Sequence, residues 1–376
     1  MAALGAIFPF FSLYFKTFLG LDGLTLGITL AIGPLFGILA SPFWGFVADT
    51  TGYRKEILII ITIGSSIGYM LIQNIDQLIV LILTLAFLSV FTSPVMPMAT
   101  SLTFGILGRM NSINFGKIRV WGTIGYLSSV ILIPLALNFL EGSDGNEISV
   151  SLKSIFPLAS ILCLIACLPL FRVKDQNGET TLKSNPKDIS ILMKSKSYKR
   201  LLIVSFFTFM LLSSPISLFP LLVVEIGGNI QQIGFLWIPM LILEIPLIFY
   251  ASIWLRKFGA KNFILIGILC DGIRWLATIL ISELFWIFFF QMFHGIVVVG
   301  LFIGMQMYVE TELSKNLRST AQTLLGMIMG LGSVLSFIWS GLILEFFDVT
   351  TPFFISGFLA IILFVITCKF LPSQRS

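Results

Sequence analysis

Apolar residues along this chain fall in long unbroken runs, and short polar clusters separate the runs. Most runs are long enough to cross a hydrocarbon core of about 30 Å at about 1.5 Å per residue. The pattern predicts twelve transmembrane helices, over residues 2–18, 25–48, 57–72, 78–104, 121–140 and 155–171 in the first half, and 201–224, 233–255, 263–281, 284–308, 320–344 and 352–370 in the second. Membrane barrel strands would instead show alternating segments of about ten residues. The expected fold is therefore an all-α membrane protein of two six-helix half-bundles, residues 1–171 and 201–376, joined by a polar linker at 172–200.

Composition agrees: 57% of the 376 residues are hydrophobic and 11% charged, where a soluble domain carries roughly 25% charged residues. The chain's surface must largely face lipid. Lys and Arg favour cytoplasmic loops. With the N-terminus cytoplasmic, only Lys16 and Lys153 of the 23 basic residues lie outside and Arg274 lies within a span, leaving twenty inside. Both termini are thus expected in the cytoplasm and the protein in the inner membrane, as a monomer. The net charge of +5 then reflects orientation and implies no nucleic-acid partner. Cys163, Cys167, Cys270 and Cys368 all sit in apolar runs, which predicts buried thiols rather than a disulfide or metal site, and no cofactor is expected. The first span lacks a basic leader and runs into Lys16 rather than a small-residue cleavage site, so it reads as a helix and not a signal peptide.

A faint repeat divides the chain. Gly45, Asp49, Gly52, Arg54 and Lys55, between the second and third spans, superpose on Ser252, Arg256, Gly259, Lys261 and Asn262 after a shift of 207 residues. Transporters are commonly built from repeated halves.

Ionisable residues inside the spans are the candidate chemistry, since a charge at mid-bilayer costs on the order of 3 kcal/mol. Glu244, Asp271, Arg274 and His294 take similar depths in the eighth, ninth and tenth spans. Asp271 and Arg274, spaced i, i+3, can meet on one helix face. Glu244 and His294 have no opposite charge in their own helices. If the three helices are neighbours, a carboxylate, an imidazole and a guanidinium converge, as proton coupling requires. His294 could equally be a packing residue bonded to a carbonyl or to Gln291. A second patch, Gly116 to Tyr126, opens the fifth span. Arg119 and Tyr126 share a face there and could bind a polar or ring-bearing substrate with Trp121. Arg119 as a positive-inside anchor and Trp121 as an interfacial aromatic is the other reading.

The loop GFVADTTGYRK, with Gly45, Asp49, Gly52, Arg54 and Lys55, resembles the signature loop of the major facilitator superfamily. That resemblance implies two six-helix bundles around a central cavity, with the loop acting as a cytoplasmic gate. GKIRVWGTIGY, the LEIP at Glu244, the RW at Arg274, the FQMFHG ending at Gly295 and RSTAQTLLG from Arg318 are similar to the phenylpropionate permease group, related to lactose permease and nucleoside:proton symporters. The resemblance implies proton coupling at Glu244, Arg274 and His294 with Asp271, and substrate binding at Arg119, Tyr126, Trp121 and Gln291. Two departures argue against lactose: Ala99, Thr100 and Ser101 stand where that permease has a fourth-helix acid, and Val297 where it has a Glu.

The expected function is secondary transport of a small organic solute (an aromatic acid, a sugar or a nucleoside) by proton symport. Antiport and uniport on the same fold are the alternatives. A membrane enzyme would need a catalytic cluster at the water interface, and no H-E-x-x-H zinc motif occurs; a primary pump would need a G-x-x-x-x-G-K-[ST] loop, which is absent too.

Overall fold

The computed structural model describes residues 1–75, 77–107, 112–140, 152–173, 186–281 and 283–372; some side chains within these helices, Arg119 among them, lie outside the description, as do 174–185 of the expected linker. All regular structure among the described residues is helical. The chain divides into two compact units, Met1–Thr181 and Leu182–Ser376.

The first unit holds α1 (Ala2–Ile7), α2 (Phe11–Leu13) with a π-helical turn at Tyr14–Phe18, α3 (Gly23–Thr51), α4 (Arg54–Ile72), α5 (Leu78–Thr92), α6 (Val95–Leu107), α7 (Ser112–Leu140) and α8 (Ile155–Leu170). The second holds α9 (Pro186–Leu192), α10 (Lys196–Glu225), α11 (Ile230–Phe258), α12 (Ala260–Leu280), α13 (Leu284–Gln291), α14 (Phe293–Val297), a π-helical turn at Val298–Ile303, α15 (Gly304–Glu312), α16 (Lys315–Phe346) and α17 (Thr350–Phe370). Among the described residues, nine helices are long and apolar enough to cross a membrane. Hydrocarbon offers backbone groups no hydrogen-bond partners, and a helix satisfies them internally.

Three predicted spans are not single helices. Residues 2–18 break after Ile7, where Pro9 has no N–H to continue the ladder; Phe10 bonds back to the Ile7 carbonyl at 3.0 Å. The fourth span breaks between Thr92 and Val95, around Pro94, and the tenth turns at Met292 and widens into the π turn. The described part of the expected linker is also partly helical: α9 lies inside it and α10 starts at Lys196. Their side chains explain why. Ser195 caps α10 by accepting the Tyr198 N–H at 3.3 Å, and Leu192 is fully buried.

Backbone geometry extends the repeat well beyond the motif loop. All four described glycines with positive φ pair at the same spacing of 207: Gly20 with Gly227 and Gly52 with Gly259, the latter two at +76° and +77°. Between them lie α3 and α11, each of 29 residues. Their N-termini are capped alike. Asp22 accepts the Thr25 N–H at 2.6 Å, which holds its carboxyl below the usual range. Asn229 accepts from Gln232 N–H at 2.9 Å while the Gln232 side chain returns the bond. The same shift carries the Ser93–Pro94 break onto Gly300–Leu301, inside the π turn. Corresponding spans are thus interrupted at corresponding places.

Within the second unit, hydroxyls hold α10 to α16. Ser214 accepts hydrogen bonds from Ser336 at 2.9 Å and Ser340 at 2.5 Å, and Ser213 pairs with Ser333 at 2.7 Å. Small polar residues let helices approach closely and bond across their interface in lipid.

The two signature glycines should respond oppositely to a methyl group. Gly52 caps α3 in the left-handed region, where an L side chain costs roughly 1–2 kcal/mol, whereas a Cβ at Gly45, inside α3, meets open space. Gly52→Ala is expected to lower the thermal unfolding midpoint in detergent and Gly45→Ala to hold or raise it, since helical Ala gains about 0.5–1 kcal/mol over Gly.

Candidate functional site

The ionisable residues inside the second unit come together on three helical segments. α12 carries Asp271, Arg274, Trp275 and Thr278 on its buried side. Arg274 is fully buried, Asp271 3% exposed and Glu244, on α11, 9% exposed. Nη2 of Arg274 meets Asp271 Oδ1 at 2.8 Å, and Nη1 lies 2.7 Å from Nδ1 of His294 on α14. The guanidinium also sits over the Trp275 ring, 4.0 Å from its centroid, a favourable placement for a cation. Arg has donors only, so His294 Nδ1 must be the acceptor and the ring is neutral with its proton on Nε2.

A close helix crossing sets the backbone of Glu244 against the helix that carries His294. A Cβ built on Gly295 would stand 2.8 Å from the Glu244 nitrogen, so glycine is what lets α14 lie against α11 there. His294, the next residue, is therefore held beside the Glu244 turn. Below it stands a second polar rung. Gln291 Nε2 donates to Thr278 Oγ1 at 3.0 Å, and that hydroxyl donates to the Arg274 carbonyl at 2.8 Å. Thr278 follows Arg274 by four residues and Gln291 precedes His294 by three, as two antiparallel helices facing each other require. Two buried atoms of this ladder, Arg274 Nε and Gln291 Oε1, have no hydrogen-bond partner among the described residues. Each such atom costs about 1–3 kcal/mol.

Gln291 therefore bonds Thr278, and His294 bonds Arg274. Thr278 and Trp275 were missed in the sequence, although the i, i+4 spacing of Thr278 from Arg274 marks it as part of the same face.

The other sequence-derived candidates lie in the first unit. At the signature loop, Arg54 Nη2 bonds Asp49 Oδ1 at 3.1 Å with Asp49 48% exposed, and Lys55 meets Glu56 at 3.5 Å. Such exposed pairs contribute about 0–1 kcal/mol. Gly45 stands open within α3 and Gly52 ends that helix. In the second-half copy, Lys261 donates instead to the Cys368 carbonyl at 2.9 Å, near the end of α17. On α7, Trp121 is 72% exposed and Tyr126 is half-buried, its carbonyl against Gly5 of α1. The Arg119 side chain is outside the described residues.

Helices of this length and composition, an internal repeat and an intramembrane ionic cluster define a polytopic transporter. Residues 1–355 match the MFS_1 like family, and the chain belongs to it: it is a membrane transporter of the major facilitator type. Over 374 residues it is 26% identical to the uncharacterized transporter YwbF of Bacillus subtilis (strain 168), covering 99% of this chain and 91% of that one. Over 348 residues it is 27% identical to a maltose permease of Geobacillus stearothermophilus, covering 91% and 84%. Its fold is similar to that of a mutant of the nucleoside transporter NupG, with a TM-score of 0.87 at 17% identity over 99% of this chain and 96% of that one.

Removing one member of a buried ion pair strands the other charge, at about 3–5 kcal/mol. Asp271→Asn and Arg274→Gln should each lower the detergent melting midpoint markedly. The double variant should recover most of the loss, and equal damage in all three would show that the pair does not neutralise itself.

Proposed function

We propose that the chain is a twelve-span proton symporter of the inner membrane, both termini cytoplasmic, that imports a small hydroxylated solute, a sugar or a nucleoside. Nine long helices, the two shorter apolar helices Val120–Ala136 and Ile155–Leu170 and the broken segment 2–18 supply twelve crossings. The basic residues set their direction. The observation that carries coupling is the fully buried Arg274 held by both Asp271 and a neutral His294, with Glu244 one helix crossing away.

Asp271 balances Arg274, so Glu244 and His294 are the groups that can exchange a proton with the least charge left behind. Glu244 takes the proton from the side of higher proton concentration. Its neutral form lets the loaded protein reorient without carrying a bare charge through hydrocarbon, which stabilises that step. His294 relays the proton and Arg274 returns Glu244 to the carboxylate form. Arg274 is fully buried and its charge is already met by Asp271, so it is poorly placed to bind a carboxylate substrate. That favours a neutral solute over an aromatic acid, in keeping with the similarity to a maltose permease and the shared fold with a nucleoside transporter. Trp121, Tyr126 and Arg119 on α7 form the sequence-derived substrate candidates of the first unit.

Proteoliposomes with an inward proton gradient and a panel of maltose, uridine and phenylpropionate test this. Wild type is expected to accumulate a sugar or nucleoside and to lose accumulation on adding an uncoupler. Glu244→Gln should cut gradient-driven uptake by about 10²-fold or more while retaining solute exchange. Accumulation that ignores both the uncoupler and the substitution would overturn proton coupling.

A further inference from the structure

The two unpartnered atoms of the polar ladder are complementary. Arg274 Nε–H is a donor and Gln291 Oε1 an acceptor, both buried and both unsatisfied. The orientation of the Gln291 amide follows from its neighbour: the Thr278 hydroxyl spends its hydrogen on the Arg274 carbonyl, so it can only accept, and Gln291 must present Nε2 to it. Oε1 is thereby left over. Gln291 precedes His294 by three residues, so its amide lies about one helical turn, roughly 5 Å, along the same face.

That arrangement bears on what happens when a proton reaches His294. The incoming proton forms an N–H bond at Nδ1 and uses the lone pair that accepts from Arg274 Nη1. Two donors then face each other, both cationic, and the guanidinium must leave. The titratable and charged groups at this level, on the elements packed against α14, are Glu244 on α11 and Cys270, Asp271 and Arg274 on α12; α13 and the π turn have none. Asp271 already holds Nη2, so the vacant neutral acceptor is Gln291.

We propose that Gln291 is a positioning residue that receives the Arg274 guanidinium when His294 is protonated, so that Arg274 moves one rung along the ladder between His294 and Gln291 with each proton. This rests on the coupling role given to His294 above. Asp271 stays bonded through the shift and the buried charge is never stranded. The π turn starting at Val298, four residues past His294, gives this stretch of the tenth span slack in its hydrogen-bond ladder, as π turns at functional sites do.

His294 is the sole histidine of the protein, so selective 15N-histidine labelling yields a single-site signal in the purified full chain without a substrate. Wild type is expected to show the Nε2–H tautomer at high pH and to titrate to the imidazolium. Gln291→Met, which removes the acceptor at similar volume, should lower the midpoint by about one pH unit. Gln291→Asn, which withdraws the acceptor by one methylene, should move it the same way and serves if the Met variant does not fold. Thr278→Val, which removes the rung but leaves Oε1, should leave the midpoint within a few tenths of a unit. An Nδ1–H tautomer in wild type, or equal midpoints in wild type and both Gln291 variants, would overturn the proposal. So would a Thr278→Val shift as large as theirs. Because the readout is titration and not uptake, a failure here is separable from failure of the symport reading, which the liposome experiment addresses.

Discussion

The arrangement of polar groups inside this protein is governed by the absence of water in the bilayer: a charge or hydrogen-bonding group left there without a partner in the chain is costly. Helices settle this for the backbone, and the Asp271–Arg274 contact at 2.8 Å settles it for the most deeply buried charge. The rest of the cluster is arranged around that contact. His294 meets the second terminal nitrogen of Arg274, Trp275 lies under the guanidinium plane, and Thr278 with Gln291 builds the next rung from the Arg274 carbonyl. Gly295 lets the Glu244 helix close over it. A single fixed ion pair therefore organises the interior of the second unit.

Among the described residues inside the first unit, the contacts between helices use neutral groups, hydroxyls and an indole: Ser66 with Ser160 at 2.7 Å, and Trp44 Nε1 on the Val90 carbonyl at 3.0 Å. The two halves share one helix of equal length, its caps and positive-φ glycines at a constant spacing of 207, so this part of the scaffold is repeated, while among the described residues the buried Asp271–Arg274 pair has no counterpart in the first unit. This asymmetry is chemically sensible. A bond network of hydroxyls can slide at little electrostatic cost, whereas an ionic network has a small number of discrete arrangements and suits a switch.

The repeat shows how much the sequence carried and where it fell short. The motif loop around Gly52 and its degenerate copy around Gly259 were legible because glycine, acid and base stand in order. The matching outer ends were not: Asp22 against Asn229 and Thr25 against Gln232 share no residue identity, only the ability to cap a helix. Backbone conformation preserved what side-chain identity had lost. The interruptions at Pro9 and Pro94 could be suspected from proline. The π turn at Val298–Ile303 has no such marker, because VVGLFI reads as ordinary apolar helix.

Hydropathy run lengths by themselves determined the class of protein and the approximate spans, because the bilayer imposes length and apolarity directly on the sequence. The sequence also determined that Glu244, Asp271, Arg274 and His294 lie at one depth, since depth along a helix is simply residue count. It could place Asp271 against Arg274, which share a helix. Which residue of another helix meets which depends on helix rotation and crossing, and these are set by contacts such as Gly295 on Glu244 that involve residues far apart in the chain. Only the tertiary structure could therefore assign His294 to Arg274 rather than to Gln291, pair Gln291 with Thr278, and leave one donor and one acceptor of that ladder unused.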